Sequence, residues 1–181
     1  MEGGLSEIAE GIKGCRGCPL WKSRKKAVPG EGPSRARLML IGEAPGEKED
    51  EQGIPFVGRS GVFLNELLSS NHIDRKQVFI TGSVKCRPPK NRNPTSAELA
   101  ACRRLWLNKQ IDAIKPDLIV VLGKVALKNL LGGNKVGDLR GRVIERGARR
   151  YFVTYHPASG MRFPKIREAM KEDFRKIQGC L

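Results

Sequence analysis

The chain has 181 residues, 39% of them apolar, enough for one domain with a buried core. It contains no run of about 18 apolar residues, so no membrane span is expected. Glu2, Glu7 and Glu10 stand where a secretory signal would need an apolar segment, which predicts a cytoplasmic, reducing location. Lys plus Arg number 34 against 19 acidic residues, a formal net charge of +15, and the surplus runs along the whole chain. A thermophile's ion-pair networks need both signs, so a one-signed excess points to a polyanionic partner such as nucleic acid.

In chain order, the spacing predicts a short helix over 5–13. Cys15 and Cys18 follow as C-x-x-C, then a basic stretch from Lys22 to Lys26 and an irregular Pro/Gly-rich segment over 28–34. Residues 37–41 (RLMLI) read as a first buried strand that empties into Gly42-Glu43-Ala44-Pro45-Gly46. Glu47, Glu49, Asp50 and Glu51 read as a solvated acidic loop. Val62, Phe63, Leu64, Leu67 and Leu68 have helical spacing over 60–70, and 78–81 is a second strand.

Thr95-Ser96-Ala97-Glu98 has the spacing of a capping box, opening a helix toward Pro116 with Leu99, Cys102, Leu105 and Trp106 on one side. A third strand over 117–122, a helix over 124–131, a last strand over 151–155 and a basic amphipathic helix over 164–177 complete the chain. Strands alternating with helices predict a parallel α/β sheet, in which ligands bind at the carboxyl ends of the strands. Three unusual segments sit at such ends, 42–46, 82–86 and 156–159, and are expected to converge.

Cys15, Cys18, Cys86 and Cys102 are four soft ligands in a sequence expected to be intracellular, which reads as a metal site. Zinc sites usually take both ligand pairs from tight knuckles, whereas Cys86 and Cys102 are far apart, so a [4Fe–4S] cluster is favoured over zinc. Cys180 is an odd fifth thiol with no expected role.

The segments GEAPGEKEDEQGIPFVGRSG (42–61), VKCRPPKNRNPT (84–95) and YHPAS (155–159), with the cysteine pattern, resemble the family 4 uracil-DNA glycosylases, which carry an iron–sulfur cluster. The resemblance covers nearly the whole chain. It implies a single domain over 1–181, folded as a three-layer α/β/α sandwich around a short, mainly parallel four-stranded sheet. It implies excision of uracil from single- or double-stranded DNA, leaving an abasic site, with a [4Fe–4S] cluster on Cys15, Cys18, Cys86 and Cys102. The further expectations are a monomer, association with the nucleoid and a sliding clamp as a possible partner.

The resemblance also assigns residues. Phe56 stacks on the flipped base, and His156 donates a hydrogen bond to the uracil oxygen on which charge grows. The backbone of Gly42, Glu43 and Ala44 approaches the base, and Glu43 positions water or offsets charge on the sugar. Related families place a water-activating Asp where this chain has Ala44. Glu49 walls off the C5 side against thymine's methyl. Met161 and Phe163 are candidate wedges for the gap left by the base, and Arg162, Lys165, Lys85 and Arg87 are candidate phosphate contacts. One position departs from the pattern: Gly82 stands where the family usually has a base-reading Asn. Ser83, a water or the backbone is then expected to compensate, with uracil excision kept at reduced rate or altered selectivity. Two rival readings follow: a sister glycosylase with broader substrates, and a non-enzymatic iron–sulfur module that binds nucleic acid in a redox-dependent way.

Overall fold

A computed structural model describes residues 3–181. Its helices are α1 (Gly3–Gly14), α2 (Glu47–Gln52), α3 (Arg59–Ser70), α4 (Ser96–Cys102), α5 (Asn108–Ile114), α6 (Gly123–Leu131), α7 (Val136–Leu139), α8 (Pro157–Arg162) and α9 (Pro164–Ile177). The strands are β1 (Leu38–Gly42), β2 (Val78–Gly82), β3 (Leu118–Leu122), β4 (Val143–Arg146) and β5 (Arg149–Thr154). They form one sheet in the order β2-β1-β3-β5-β4. β2, β1, β3 and β5 are parallel, and β4 is antiparallel to β5.

β1 and β3 are apolar along their whole length because helices cover both faces of the sheet. Alternate residues divide between two cores. Met39, Ile41, Phe79, Ile119, Val121 and Val153 meet Leu107, Ile111, Leu127 and Leu130 of α5, α6 and the segment before α5. Leu38, Leu40, Ile80, Val120 and Phe152 meet Phe63, Leu64 and Leu67 of α3, with Met170 and Phe174 of α9. This is the expected α/β layering. The expected four-stranded sheet is corrected to five strands. The added edge strand β4 holds only two half-buried apolar residues, Val143 and Ile144, before Glu145 and Arg146, so its sequence period is faint. Gly147, at φ +57°, turns the chain back into β5.

The Thr95 capping box forms as expected: Glu98 N–H donates to Thr95 Oγ1 at 3.2 Å and Thr95 N–H to Glu98 Oε2 at 2.8 Å. The helix it opens is not uniform, because Arg103–Leu107 forms a π-helical turn between α4 and α5. That turn changes which way successive side chains face. Trp106 and Leu105 turn toward α1 and the Cys15–Cys18 loop, while Leu107 and Ile111 face the sheet.

On the other face of the sheet, Asp173 of α9 is fully buried and locks that helix to β5. It accepts hydrogen bonds from Thr154 Oγ1 at 2.7 Å and from Arg140 at 2.9 and 3.1 Å. Asp173→Ala would leave the Arg140 charge without its buried partner and is expected to lower stability by about 3 kcal/mol, measured by urea denaturation.

Candidate active site

The three strand-end segments converge. They line a cleft of about 260 Å³ with Glu43, Ala44, Pro45, Gly46, Gly82, His156 and Ala158, and Glu49, Phe56 and Asn91 complete its wall. The sheet topology explains this, since β1, β2 and β5 are parallel and end on the same side.

Phe56 lies in the cleft with its ring centroid 5.8 Å from that of His156 and 29° from coplanar. A Cβ on Gly42 would fall 2.7 Å from Phe56 Cζ and 3.7 Å from His156 Nε2, so a glycine is required where the two rings meet the strand end. Phe56 itself adopts φ +52°, an unfavourable conformation for an aromatic residue. The surroundings impose it. Glu49 is buried and accepts the next two N–H groups, Val57 at 2.9 Å and Gly58 at 2.7 Å. Arg75 holds the other side, donating to Pro55 O at 2.7 Å. The same Glu49 carboxylate accepts from Gly46 N–H at 3.1 Å, which joins the loop after β1 to the aromatic platform. Glu49 therefore belongs to the cleft wall, but its oxygens are occupied by backbone. The expected solvated acidic loop is instead α2, and Asp50 is buried there, accepting from Lys25 N–H at 2.9 Å.

His156 precedes Pro157 and caps α8. Its Nδ1 accepts from Ala158 N–H at 3.2 Å, so a neutral ring carries its proton on Nε2. Burial pushes the imidazole down to about 4, with the nearby Glu49 opposing, which keeps the ring neutral at physiological pH. Glu43, half-buried in the same cleft, has no hydrogen-bond partner for its carboxylate among the described residues, and burial raises its pKa. The cleft thus offers a flat ring, a fixed N–H donor and a carboxylate with raised basicity.

Two expected contacts are corrected. Lys85 is 1% exposed and cannot reach a phosphate. Its ammonium donates to Thr81 Oγ1 and, at 3.0 Å, to Gly82 O. Ser83 does not replace the missing Asn side chain, because it is buried and its hydroxyl donates to Gly42 O at 2.8 Å. Arg87 is largely engaged in the protein: Nε donates to Asn91 Oδ1 at 2.7 Å, and NH1 lies 3.7 Å from Glu47. Phe163 is 50% exposed between α8 and α9, beside exposed Arg162 and Lys165, whereas Met161 packs partly into the core.

Cys15, Cys18, Cys86 and Cys102 line one small cavity beside the cleft, together with Lys85, Arg24, Trp106 and Leu105. Among the described residues no three side chains converge closely enough to hold a single metal ion. The thiols receive hydrogen bonds that suit sulfur carrying negative charge: Arg24 NH1 to Cys86 at 3.1 Å, Trp106 Nε1 to Cys15 at 3.0 Å and Gly17 N–H to Cys15 at 3.3 Å. Burial raises the Cys18 and Cys86 thiols and pushes Cys102 up to about 12, while Lys85 is pushed down to about 8. A buried ammonium with no carboxylate partner beside four thiols is accounted for if those sulfurs are anionic and ligated. Trp106 is placed on the Cys102 side of its helix by the sequence spacing, but its bond to Cys15 depends on the π-helical turn at Arg103–Leu107. Arg24, in a run of surface-like basic residues, carried no such signal.

Residues 29–178 match the sequence profile of the uracil DNA glycosylase superfamily. A type-4 uracil-DNA glycosylase of Saccharolobus solfataricus is 43% identical, over 98% of this chain and 86% of its own. One from Thermotoga maritima is also 43% identical, over 96% and 93% of the two chains. The chain belongs to the uracil DNA glycosylase superfamily. Its likeness is greater to the type-4 members than to a type-5 uracil-DNA glycosylase of Pyrobaculum aerophilum, which is 30% identical over 81% of this chain.

In this family member the neutrality of His156 has a pH signature. An unfolded imidazole titrates near about 6.5, so between there and about 4 the unfolded state binds more protons than the folded one. Stability should fall as pH drops through that window, and His156→Gln should flatten the slope. An NMR titration of the His156 imidazole should show a midpoint near 4.

Proposed function

We propose that the cleft excises uracil from DNA with Phe56, His156 and Glu43 as its working side chains. The protein is a uracil-DNA glycosylase, as its type-4 relatives are named, and its reaction leaves an abasic site. The observation that carries the residue assignment is the Ala158 N–H bond to His156 Nδ1, which leaves Nε2 to carry the proton of a neutral ring beside Phe56.

A flipped uracil stacks on Phe56, a contact worth about 1–3 kcal/mol. The C1′–N1 bond breaks with its electron pair leaving on the base, and the negative charge spreads onto a uracil carbonyl oxygen. His156 Nε2–H donates to that oxygen without itself becoming charged. Glu43 faces the positive sugar, orients water toward C1′ and takes the proton that the water loses. Its raised pKa favours that last role. The small residues Gly42 and Ala44 let backbone stand close to the base. The exposed Phe163 fills the gap in the stack, and Arg162 and Lys165 meet phosphates around it.

Cys15, Cys18, Cys86 and Cys102 would hold a [4Fe–4S] cluster, supplying a rigid covalent tie between the N-terminal segment and the loop after β2. The ring of thiols around a cavity, with hydrogen-bond donors and a buried cation beside them, supports a multi-atom cluster over a single ion. Residues 1–181 act as one glycosylase domain, in keeping with alignments that span nearly the whole chain.

The test is alkali-revealed cleavage of a uracil-containing oligonucleotide under single-turnover conditions. The wild type should produce abasic sites, and His156→Ala should slow excision by about 10²–10³-fold while leaving affinity for abasic DNA intact. Anaerobically purified protein should contain iron and acid-labile sulfide in equal amounts. A His156→Ala protein as fast as the wild type would remove the proposed donor, and stoichiometric zinc would remove the cluster.

A further inference from the structure

The missing Asn at Gly82 leaves the base edge without its expected reader, and the local geometry explains why that position cannot supply one. A Cβ on Gly82 would lie 2.8 Å from Val84 O, 3.5 Å from Glu43 O and 3.6 Å from Ala44 Cα. Gly82 O already accepts from Lys85, and both Ser83 N–H and its hydroxyl are spent on Gly42 O. Among the residues lining the cleft, Glu49 is committed to backbone, and Arg92 grips Glu98 through two contacts of 2.8 Å. Asn91 is the one amide side chain in the lining.

Asn91 is presented by a constrained loop. Lys90 and Asn91 both adopt φ +54°, a conformation Asn tolerates better than most residues. Asn91 N–H donates to Pro88 O at 3.1 Å and Arg92 N–H to Pro89 O at 3.2 Å, and the Arg92–Glu98 pair anchors the loop to α4. Arg87 Nε donates to Asn91 Oδ1 at 2.7 Å. That bond fixes which end of the amide is which. Oδ1 is occupied, and Nδ2 is a donor with no partner among the described residues.

We propose that Asn91 Nδ2 reads the pyrimidine edge by donating to uracil O4, in place of the side chain absent at Gly82. Cytosine carries an amino group at that position, so two donors would face each other and the base would be refused. Arg87 is then a positioning residue, holding the amide the right way round. The proposal rests on the glycosylase reading above, in which His156 serves the oxygen at the other side of the ring.

The experiment compares single-turnover excision of uracil and of cytosine from otherwise identical oligonucleotides by the wild type, Asn91→Ala and Asn91→Asp. Asn91→Asp keeps an acceptor for Arg87, so the loop retains its tie, but it presents an oxygen where the donor was. The expected result is an approximately tenfold or greater slowing on uracil in both variants, with affinity for abasic DNA unchanged. Asn91→Asp should also raise the cytosine-to-uracil rate ratio at least about tenfold over the wild type. A wild type that excises uracil, with variants that match it in rate and in ratio, would overturn the role of Asn91 and leave the glycosylase reading standing. Slowing without any change in the ratio for Asn91→Asp would equally overturn it, assigning the residue to loop structure. A wild type that excises nothing would overturn both.

Discussion

Glu49 places a buried carboxylate among three backbone N–H groups, from Gly46, Val57 and Gly58. Charge-assisted bonds of this kind are roughly twice as strong as neutral ones, and here they join two stretches of chain that have no other regular pairing. One is the turn at the end of β1, which carries Glu43. The other is the segment that holds Phe56 at positive φ. Without an acceptor at Glu49, the half-buried Val57 and Gly58 would leave two N–H donors unmet, and the strained Phe56 would lose what holds it. The cleft is therefore organised before any base enters it, which electrostatic catalysis requires.

The cysteine cavity and the cleft meet at Lys85. Its ammonium lies among the cavity walls, and its hydrogen bonds end on Thr81 and Gly82, the last residues of β2. Arg24 makes a similar link on the opposite side, from Cys86 to Lys13 O at the end of α1. Lys85 and Arg24 place positive charge beside the thiols through groups that also fix backbone, which suits sulfurs that would carry negative charge as ligands.

Much of this was legible from residues. β1, β2, β3 and β5 announce themselves as short apolar runs ending in glycine or His-Pro, and parallel topology brings those ends together, so Glu43, Gly82 and His156 group before any coordinates, whereas Phe56 joins them only through the family resemblance. β4 could not, because an edge strand with one solvated face needs only Val143 and Ile144. Lys85 was misread for a related reason. A lysine in a basic loop is normally a surface residue, and only the fold shows that thiols surround this one. Nothing in the sequence singles out Asn91, because its placement depends on a backbone twist at 90–91 and on Arg87 reaching back to its Oδ1, neither of which has a sequence period. Glu49 lines the cleft, and its partners are backbone groups that no motif reveals.

A carboxylate at position 49 preorganises the cleft. Single-turnover uracil excision by Glu49→Gln tests it most directly, because the amide keeps the size of the side chain and turns one acceptor into a donor facing backbone N–H groups. The expected result is at least an approximately tenfold loss of rate, with iron content and affinity for abasic DNA unchanged. Excision at the wild-type rate would contradict it.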